Sequence, residues 1–144
     1  GPSITGTTWA PAFVAQGPNN RTALVRTLPG RFEWRLPDAS ANPYLALATM
    51  IAAGLDGIER EMTPPPACEL DLFTLPAADR ERLGITVLPQ SLAEAVAALQ
   101  ADAVVQAALG PVLAGEFIAA KQAEWLAYAR HVSDWEWTRY ACAF

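Results

Sequence analysis

Hydrophobic and charged residues alternate strictly between residues 31 and 36 of this 144-residue chain. Phe32, Trp34 and Leu36 fall on one face of an extended segment, because successive side chains of a strand point to opposite faces. The other face carries an arginine, a glutamate and an arginine, at positions 31, 33 and 35. The pattern predicts a strand with one face toward a core and the other presenting a carboxylate between two guanidinium groups.

Two further strand-like runs precede this one, at residues 9–15 and 21–27. Between the second and third runs, Thr-Leu-Pro-Gly at residues 27–30 predicts a turn, since proline presets φ and glycine accepts a positive φ. We therefore expect a short antiparallel sheet of about three strands within residues 9–36. Strict alternation puts Arg21 and Arg26 on opposite faces, so both can reach one site only if Arg21 lies at the strand mouth or at a bulge.

Asn42 followed by Pro43 predicts the start of a helix, because asparagine caps free N–H groups and proline is tolerated at the first helical position. We expect this helix to cover residues 42–62 and, from its Ala, Leu and Ile content, to be buried. Residues 63–90 then form a connection longer than most compact domains use. Such connections are usually functional loops or disordered segments.

Helices are predicted throughout the remainder, residues 91–142. The expected spans are 91–100, 102–109, 112–130 and 133–142, and Ser-x-x-Glu capping boxes at Ser91 and Ser133 open the first and last of them. The chain thus has about three strands followed by about five helices. This order, strands first and helices afterwards, predicts the α+β class.

Composition narrows the possible partners. Hydrophobic residues make up 52% of the chain and charged residues 17%, which is apolar for a soluble domain, and the net charge is −5. An acidic chain offers no basic surface for nucleic acid or an anionic membrane. Cys68 and Cys142 form neither a metal motif nor a disulfide framework, which fits a cytoplasmic location. The longest apolar run has twelve residues, whereas a membrane-spanning helix needs about 20.

The charged face of residues 31–35 is the first candidate site. A carboxylate such as Glu33 suits a hard cation such as Mg²⁺, and guanidinium groups suit carboxylate or phosphate oxygens. Together they favour an anionic, metal-bound ligand such as a nucleotide phosphate. On spacing alone, however, a solvated strand face with cross-strand ion pairs explains the pattern better, because charged alternation is ordinary in strands.

An ordered set of motifs changes that balance. The set comprises N-R-T-x-x-x-R at 20–26, R-F-E-W-R-x-P-D at 31–38, A-N-P-Y-L-A-L-A at 41–48, A-G-L-D-G-I at 53–58, S-L-A-E-A at 91–95, E-W at 124–125, V-S-D-W-E at 132–136 and R-Y at 139–140. In this order, and over nearly the whole chain, it resembles the C-terminal part of the catalytic domain of glutamine synthetase. The resemblance is closest to the branch that includes the γ-glutamylmethylamide synthetases. It implies that the strands are the remnant of a catalytic β-barrel.

The resemblance also implies roles for four residues. Glu33 matches the glutamate that binds the nucleotide-side Mg²⁺ (or Mn²⁺), and Arg35 the arginine that holds substrate glutamate. Arg21 matches a catalytic arginine beside the transferred phosphoryl group, and Arg26 an arginine on the ATP phosphates. The implied reaction proceeds through γ-glutamyl phosphate, from which an amine displaces phosphate. We assign Arg31 a structural role.

In that family the active site also takes a β-domain from a neighbouring subunit of a ring dodecamer, and glutamate and histidine ligands from earlier in the chain. The opening Gly1-Pro2-Ser3 resembles the remnant of a purification tag, at residues 1–2. We therefore expect residues 1–144 to be a C-terminal fragment of the enzyme that is inactive alone. The alternative is a natural short paralogue. The amine could be ammonia, methylamine or a polyamine. A non-catalytic scaffold or association module is a rival of a different class.

Phe73 stands where regulated bacterial enzymes carry an adenylylated tyrosine, so we expect this chain to escape that control.

Overall fold

The sheet and helices of the computed structural model, which describes residues 10–143, form an α+β fold, as predicted. Residues 1–2 and Trp9, which carried a predicted tag remnant and strand start, lie outside the described residues. The strands are β1 (Phe13–Pro18), β2 (Ala23–Leu28), β3 (Arg31–Trp34) and β4 (Thr86–Val87). The helices are α1 (Pro43–Glu59), α2 (Ala77–Arg82), α3 (Leu92–Ala101), α4 (Ala103–Leu109), α5 (Pro111–Arg130) and α6 (Asp134–Tyr140).

The sheet has four strands in the order β3-β2-β1-β4 and is mixed. β2 and β3 form the predicted antiparallel hairpin, with Gly30 at φ +73° in its turn. β1 also pairs antiparallel with β4, but β1 and β2 run parallel. The prediction was an antiparallel sheet of about three strands; the sheet has one strand more, and only the direction of the β1–β2 pair was predicted wrongly. Alternation assigns faces to side chains and contains no information about the direction of the neighbouring strand.

The β2–β3 register places the charged residues on one face. Arg26 lies directly opposite Glu33, and Val25 lies opposite Trp34. The N–H of Arg35 donates to the carbonyl of Leu24 at 2.9 Å, which continues the ladder beyond the last residue of β3. Since alternate residues share a face, the side chains of residues 26, 33 and 35 are brought together.

The core lies between β1 and the segment that was predicted to be a long loop. Phe13 and Leu72 are fully buried there, and the ring of Phe73 packs edge-on against Phe13 with 5.5 Å between centroids. The N–H of Cys68 donates to the Gln16 carbonyl at 2.8 Å, so this segment also covers the edge of β1. Residues 63–90 thus form part of the core and include α2 and β4, two elements too short to show a hydrophobic period in the sequence.

The five predicted helices correspond to α1 and α3–α6, and α2 is additional. The side chains of Asn42, Ser91 and Ser133 cap their helices as expected. The burial predicted for α1 was wrong, because no residue of this helix is buried and it packs chiefly against α4. Phe32, expected in the core, is 61% exposed. An apolar sequence shows that a helix or strand face could be buried, but it does not show whether another segment packs against that face.

Between residues 10 and 143, no single helix is long and apolar enough to cross a membrane. The pair α3 and α4 meets the length and composition criteria only when joined, and the two helices are bent by 88°.

Candidate functional site

The centre of the site is an ion pair across the β2–β3 hairpin. Arg26 Nη1 lies 3.1 Å from Glu33 Oε2 and 3.3 Å from Oε1, so one guanidinium nitrogen spans both carboxylate oxygens. The Arg26 side chain is 15% exposed and that of Glu33 35% exposed. The pair is therefore partly desolvated, which strengthens its charge–charge interaction relative to one fully in water.

Arg35 adds a second cation to the same carboxylate. Its Nη1 lies 4.0 Å from Glu33 Oε2, and its side chain is 20% exposed. With Arg26 and Arg35 on either side of one glutamate, the cluster retains one excess positive charge. Guanidinium groups present planar, paired donors, so this face suits a carboxylate or phosphate ligand.

Arg21 lies outside the strands, in the connection between β1 and β2, which is the strand-mouth position that alternation required. It lines a polar surface cleft of about 450 Å³ together with Asn19, Glu69 and Asp71. Asn19 Oδ1 accepts from Arg26 Nε at 3.1 Å and also from Arg26 Nη2. The cleft of Arg21 and the Arg26–Glu33 pair therefore meet at Asn19, whose role the sequence prediction missed.

Arg31 is further along the hairpin. It lies opposite Leu28, next to the Pro29-Gly30 turn, and is exposed. The structural role assigned to it stays a prediction.

Asp38 follows the charged strand and closes a local turn. Its Oδ1 accepts from the Ser40 hydroxyl at 2.6 Å and from the Ser40 N–H at 2.7 Å. These two bonds stabilise the carboxylate form and lower the pKa of Asp38 below its ordinary value. The turn leads the chain from β3 into the Asn42 cap of α1.

The metal role predicted for Glu33 has a limited structural basis. Within residues 10–143, no group of three or more His, Cys, Asp or Glu side chains could hold a metal ion. Glu33 offers a carboxylate oxygen of the kind that Mg²⁺ prefers, and Mg²⁺ sites often use one or two carboxylates together with substrate phosphates. Glu33 is therefore compatible in residue type with one ligand of a divalent ion, and its metal role stays a prediction.

A buried polar network supports the turn that carries Arg21. Asn20 is 8% exposed and Thr22 3% exposed, and each makes hydrogen bonds to the other and to residues 68–72. In the sequence, both residues stood out only as parts of the N-R-T-x-x-x-R motif. A signal was present in the sequence, since two consecutive asparagines beside a buried strand favour a side-chain-stabilised turn.

Phe73 and the single histidine, His131, occupy structural positions. Phe73 packs against the core, and His131 is the C-cap of α5. Cys68 is buried and Cys142 is exposed, and both are free thiols.

Comparison with known proteins gives a consistent family. Residues 4–140 match the family model described as "Glutamine synthetase, catalytic domain". The chain is 50% identical over 140 residues to a glutamate–methylamine ligase of Methyloversatilis universalis, a match that covers 97% of this chain and 31% of the relative. It is 44% identical to a glutamine synthetase of Halobacterium salinarum (91% of this chain, 30% of the relative) and 42% identical to one of Thermus thermophilus (94% and 31%). The chain thus spans less than a third of the length of these relatives.

Proposed function

Because the chain belongs to the glutamine synthetase catalytic-domain family, we propose that it is the C-terminal part of an enzyme that joins an amine to the γ-carboxylate of glutamate with hydrolysis of ATP. The matched relatives named above are ligases. The observation that carries the proposal is the cluster of Arg26, Glu33 and Arg35 on one sheet face, joined through Asn19 to the cleft of Arg21.

In the proposed reaction the γ-carboxylate of glutamate attacks the γ-phosphorus of ATP, and ADP leaves. The neutral amine then attacks the carbonyl carbon of γ-glutamyl phosphate, the bond from that carbon to the phosphate oxygen breaks, and the nitrogen gives up one proton as the amide and phosphate form. Both steps move negative charge between oxygens, so positioning and charge neutralisation are the main sources of rate acceleration.

Different residues of this chain carry out the positioning and the charge neutralisation. Arg35 holds the substrate carboxylate in a bidentate manner, and Arg26 holds ATP phosphate oxygens while it fixes Glu33. Arg21, at the strand mouth, neutralises the phosphoryl group during transfer. A bound Mg²⁺ or Mn²⁺ would neutralise charge on the ATP phosphates, and Glu33 would supply one of its oxygen ligands.

The other metal ligands and the opposite wall of the site would come from the remainder of the enzyme and from a neighbouring subunit of a ring dodecamer. We therefore propose that the 144-residue chain alone is inactive. One candidate carboxylate ligand is insufficient for an octahedral Mg²⁺ site unless substrate and further ligands complete it.

Two amines are candidate substrates. Ammonia is the substrate implied by similarity to the two glutamine synthetases. Methylamine is the second candidate, because the chain is 50% identical to the glutamate–methylamine ligase and 44% and 42% identical to the glutamine synthetases. The four site residues contact glutamate and ATP in this proposal, so they are compatible with either amine.

The test is a ligase assay of the full-length enzyme that contains this sequence. Phosphate release and the amide product are measured with ATP and glutamate and with ammonia or methylamine. Glu33→Gln, which removes the carboxylate charge with little change of shape, should abolish activity, while Arg82→Lys at an exposed site on α2 should not change it. Amide formation with methylamine but not ammonia would identify the second candidate. No glutamate-dependent phosphate release with either amine would refute the ligase proposal and favour an association module.

A further inference from the structure

The hydrogen bonds of Asn20 connect two segments that are far apart in the sequence. Its Nδ2 donates to the carbonyls of Cys68 at 2.8 Å and Leu70 at 2.9 Å. Its Oδ1 accepts from the Thr22 N–H at 2.9 Å and from the Thr22 hydroxyl at 2.7 Å. Both donors and both lone pairs of the amide are therefore used, at a position that is 8% exposed.

Thr22 extends this network. Its Oγ1 accepts from the N–H of Leu72 at 3.1 Å, and Thr22 is 3% exposed. The connection before β2 is thus bound to residues 68–72 through two buried side chains, those of Asn20 and Thr22. Gly17 permits the close approach, since a Cβ there would lie 2.0 Å from the Cys68 carbonyl oxygen.

Arg21 is the residue between these two anchors. Its neighbours on both sides are buried and bonded to each other around it, which forms an Asx turn with Arg21 at the tip. The cleft that Arg21 lines is walled by Glu69 and Asp71, which belong to the segment that Asn20 binds. The position of the Arg21 backbone relative to its cleft is therefore set by the Asn20 amide.

We propose that Asn20 is a positioning residue of the ligase, which fixes Arg21 against the phosphoryl group without touching substrate. This inference rests on the proposed function, because it gives Arg21 the role of neutralising transferred charge. A neutral amide is required at this position, because only an amide offers two donors to the carbonyls of Cys68 and Leu70 and an acceptor to Thr22.

The test uses the full-length enzyme and four substitutions. Asn20→Asp keeps the size and the acceptor but sets a carboxylate oxygen against two carbonyl oxygens, and Thr22→Val removes the hydroxyl. Each should lower kcat/KM by about 10- to 100-fold, because a displacement near 1 Å can cost about that much. Thr22→Ser, which keeps the hydroxyl, should retain most activity. Ser133→Ala, which removes the side-chain cap of α6, is the control for a general loss of stability.

A double-mutant cycle separates positioning from structural support. Asn20→Asp is combined with Arg21→Gln, and a radiolabelled product assay measures the slow turnover of these variants. Each rate is divided by the fraction of enzyme that binds ATP, so that misfolded protein does not count as lost activity. If Asn20 acts through Arg21, Asn20→Asp should cause little further loss in the Arg21→Gln enzyme. The inference would be overturned if Asn20→Asp lowered kcat/KM equally in the unsubstituted and Arg21→Gln enzymes, or did not lower it in the enzyme that retains Arg21. The ligase proposal would stand in both cases. An unsubstituted enzyme without ligase activity would refute the proposed function and the positioning role with it.

Discussion

Arg35 is the residue through which a substrate role and a surface ion pair are most easily distinguished. Its Nη1 lies 4.0 Å from Glu33, and its side chain is 20% exposed. A solvated ion pair contributes roughly 0–1 kcal/mol to stability and would leave substrate binding unchanged. A guanidinium that binds a carboxylate with two donors instead contributes directly to glutamate affinity.

Arg35→Lys in the full-length enzyme should therefore raise KM for glutamate by about tenfold or more and change KM for ATP much less. Lysine keeps the charge and loses the planar fork, and a loss of about 1.4 kcal/mol corresponds to tenfold in binding. Steady-state kinetics with each substrate varied in turn measures the effect, with Arg82→Lys as the matched control. Unchanged glutamate KM and kcat would exclude Arg35 from the substrate site.

Gly17 makes a second prediction, on stability. Gly17→Ala should lower the free energy of unfolding by roughly 1–3 kcal/mol or more, because the added Cβ would lie 2.0 Å from the Cys68 carbonyl oxygen. Gly54→Ala is the matched control, since nothing lies within 4 Å of its Cβ position and alanine favours the α1 helix by about 1 kcal/mol. Urea unfolding of the two variants should shift in opposite directions; the same shift in both would contradict the close approach.

At the level of elements, α6 depends on a capping box that titrates. Ser133 Oγ accepts from the Glu136 N–H at 3.2 Å, and Glu136 Oε2 accepts from the Ser133 N–H and hydroxyl, each at 2.8 Å. These bonds favour the ionised carboxylate and lower the pKa of Glu136 below its ordinary value. A carboxyl with a lowered pKa stabilises the fold fully above its unfolded pKa, and this contribution is lost as the pH falls through the folded value.

We therefore expect α6 to fray as the pH falls below about 4.5, the ordinary value for this carboxyl. Fluorescence of Trp135 and Trp137, both on α6, reports the change, and the edge-on contact of Trp135 with Tyr140 should be lost with it. In Ser133→Ala the helix should be less stable at neutral pH and this acid transition should shrink. An acid transition of undiminished size in that variant would show that the capping box is not its cause.

At the scale of the molecule, the chain exposes more surface than its mass requires. Its accessible surface is 10403 Å², whereas a compact monomer of 15.4 kDa has about 7,200 Å². Part of the exposed surface is an apolar stripe along α1, whose members recur every three or four residues and are 53–82% exposed: Tyr44, Leu47, Ile51, Leu55 and Ile58.

The hairpin also contains an unsatisfied buried side-chain donor among the described residues. Trp34 Nε1 is buried and has no hydrogen-bond partner within the described part of the chain. An unsatisfied buried donor costs about 1–3 kcal/mol, so a partner from further polypeptide would stabilise this side of the hairpin.

The isolated chain should accordingly self-associate at micromolar concentration. Contiguous exposed apolar surface favours oligomers, and Ile51→Glu in the middle of the stripe should weaken the association. Ala78→Glu, at an exposed position on α2, is the control. Sedimentation velocity measures the mass; a 15.4 kDa monomer alone at these concentrations would contradict the prediction.

Local features of the fold and of the candidate site could be predicted from the sequence, whereas long-range features could not. Alternation along residues 31–36 assigned Glu33 and Arg35 to one face, and the β2–β3 register then brought Arg26 opposite Glu33. The helix starts at Asn42, Ser91 and Ser133 were also predicted correctly, because a cap is made by residues within one turn of each other. These features depend on chemistry within a few positions, which a single sequence contains.

Only the tertiary structure decided which segments lie against each other. The parallel β1–β2 pair, the packing of Leu72 against Phe13 and the exposure of α1 depend on partners far away in the chain. The hydrogen bonds from Asn20 to Cys68 and Leu70 join residues 48 and 50 positions apart. The sequence by itself therefore determined the main helix starts and the shared face of Glu33 and Arg35, because those follow from local period and residue type, whereas the roles of the four candidate site residues follow from the family resemblance. The order of the strands and the anchoring of Arg21 could be read only from the tertiary structure. The hydrophobic effect is non-directional, so residue spacing does not specify which distant segments pack together.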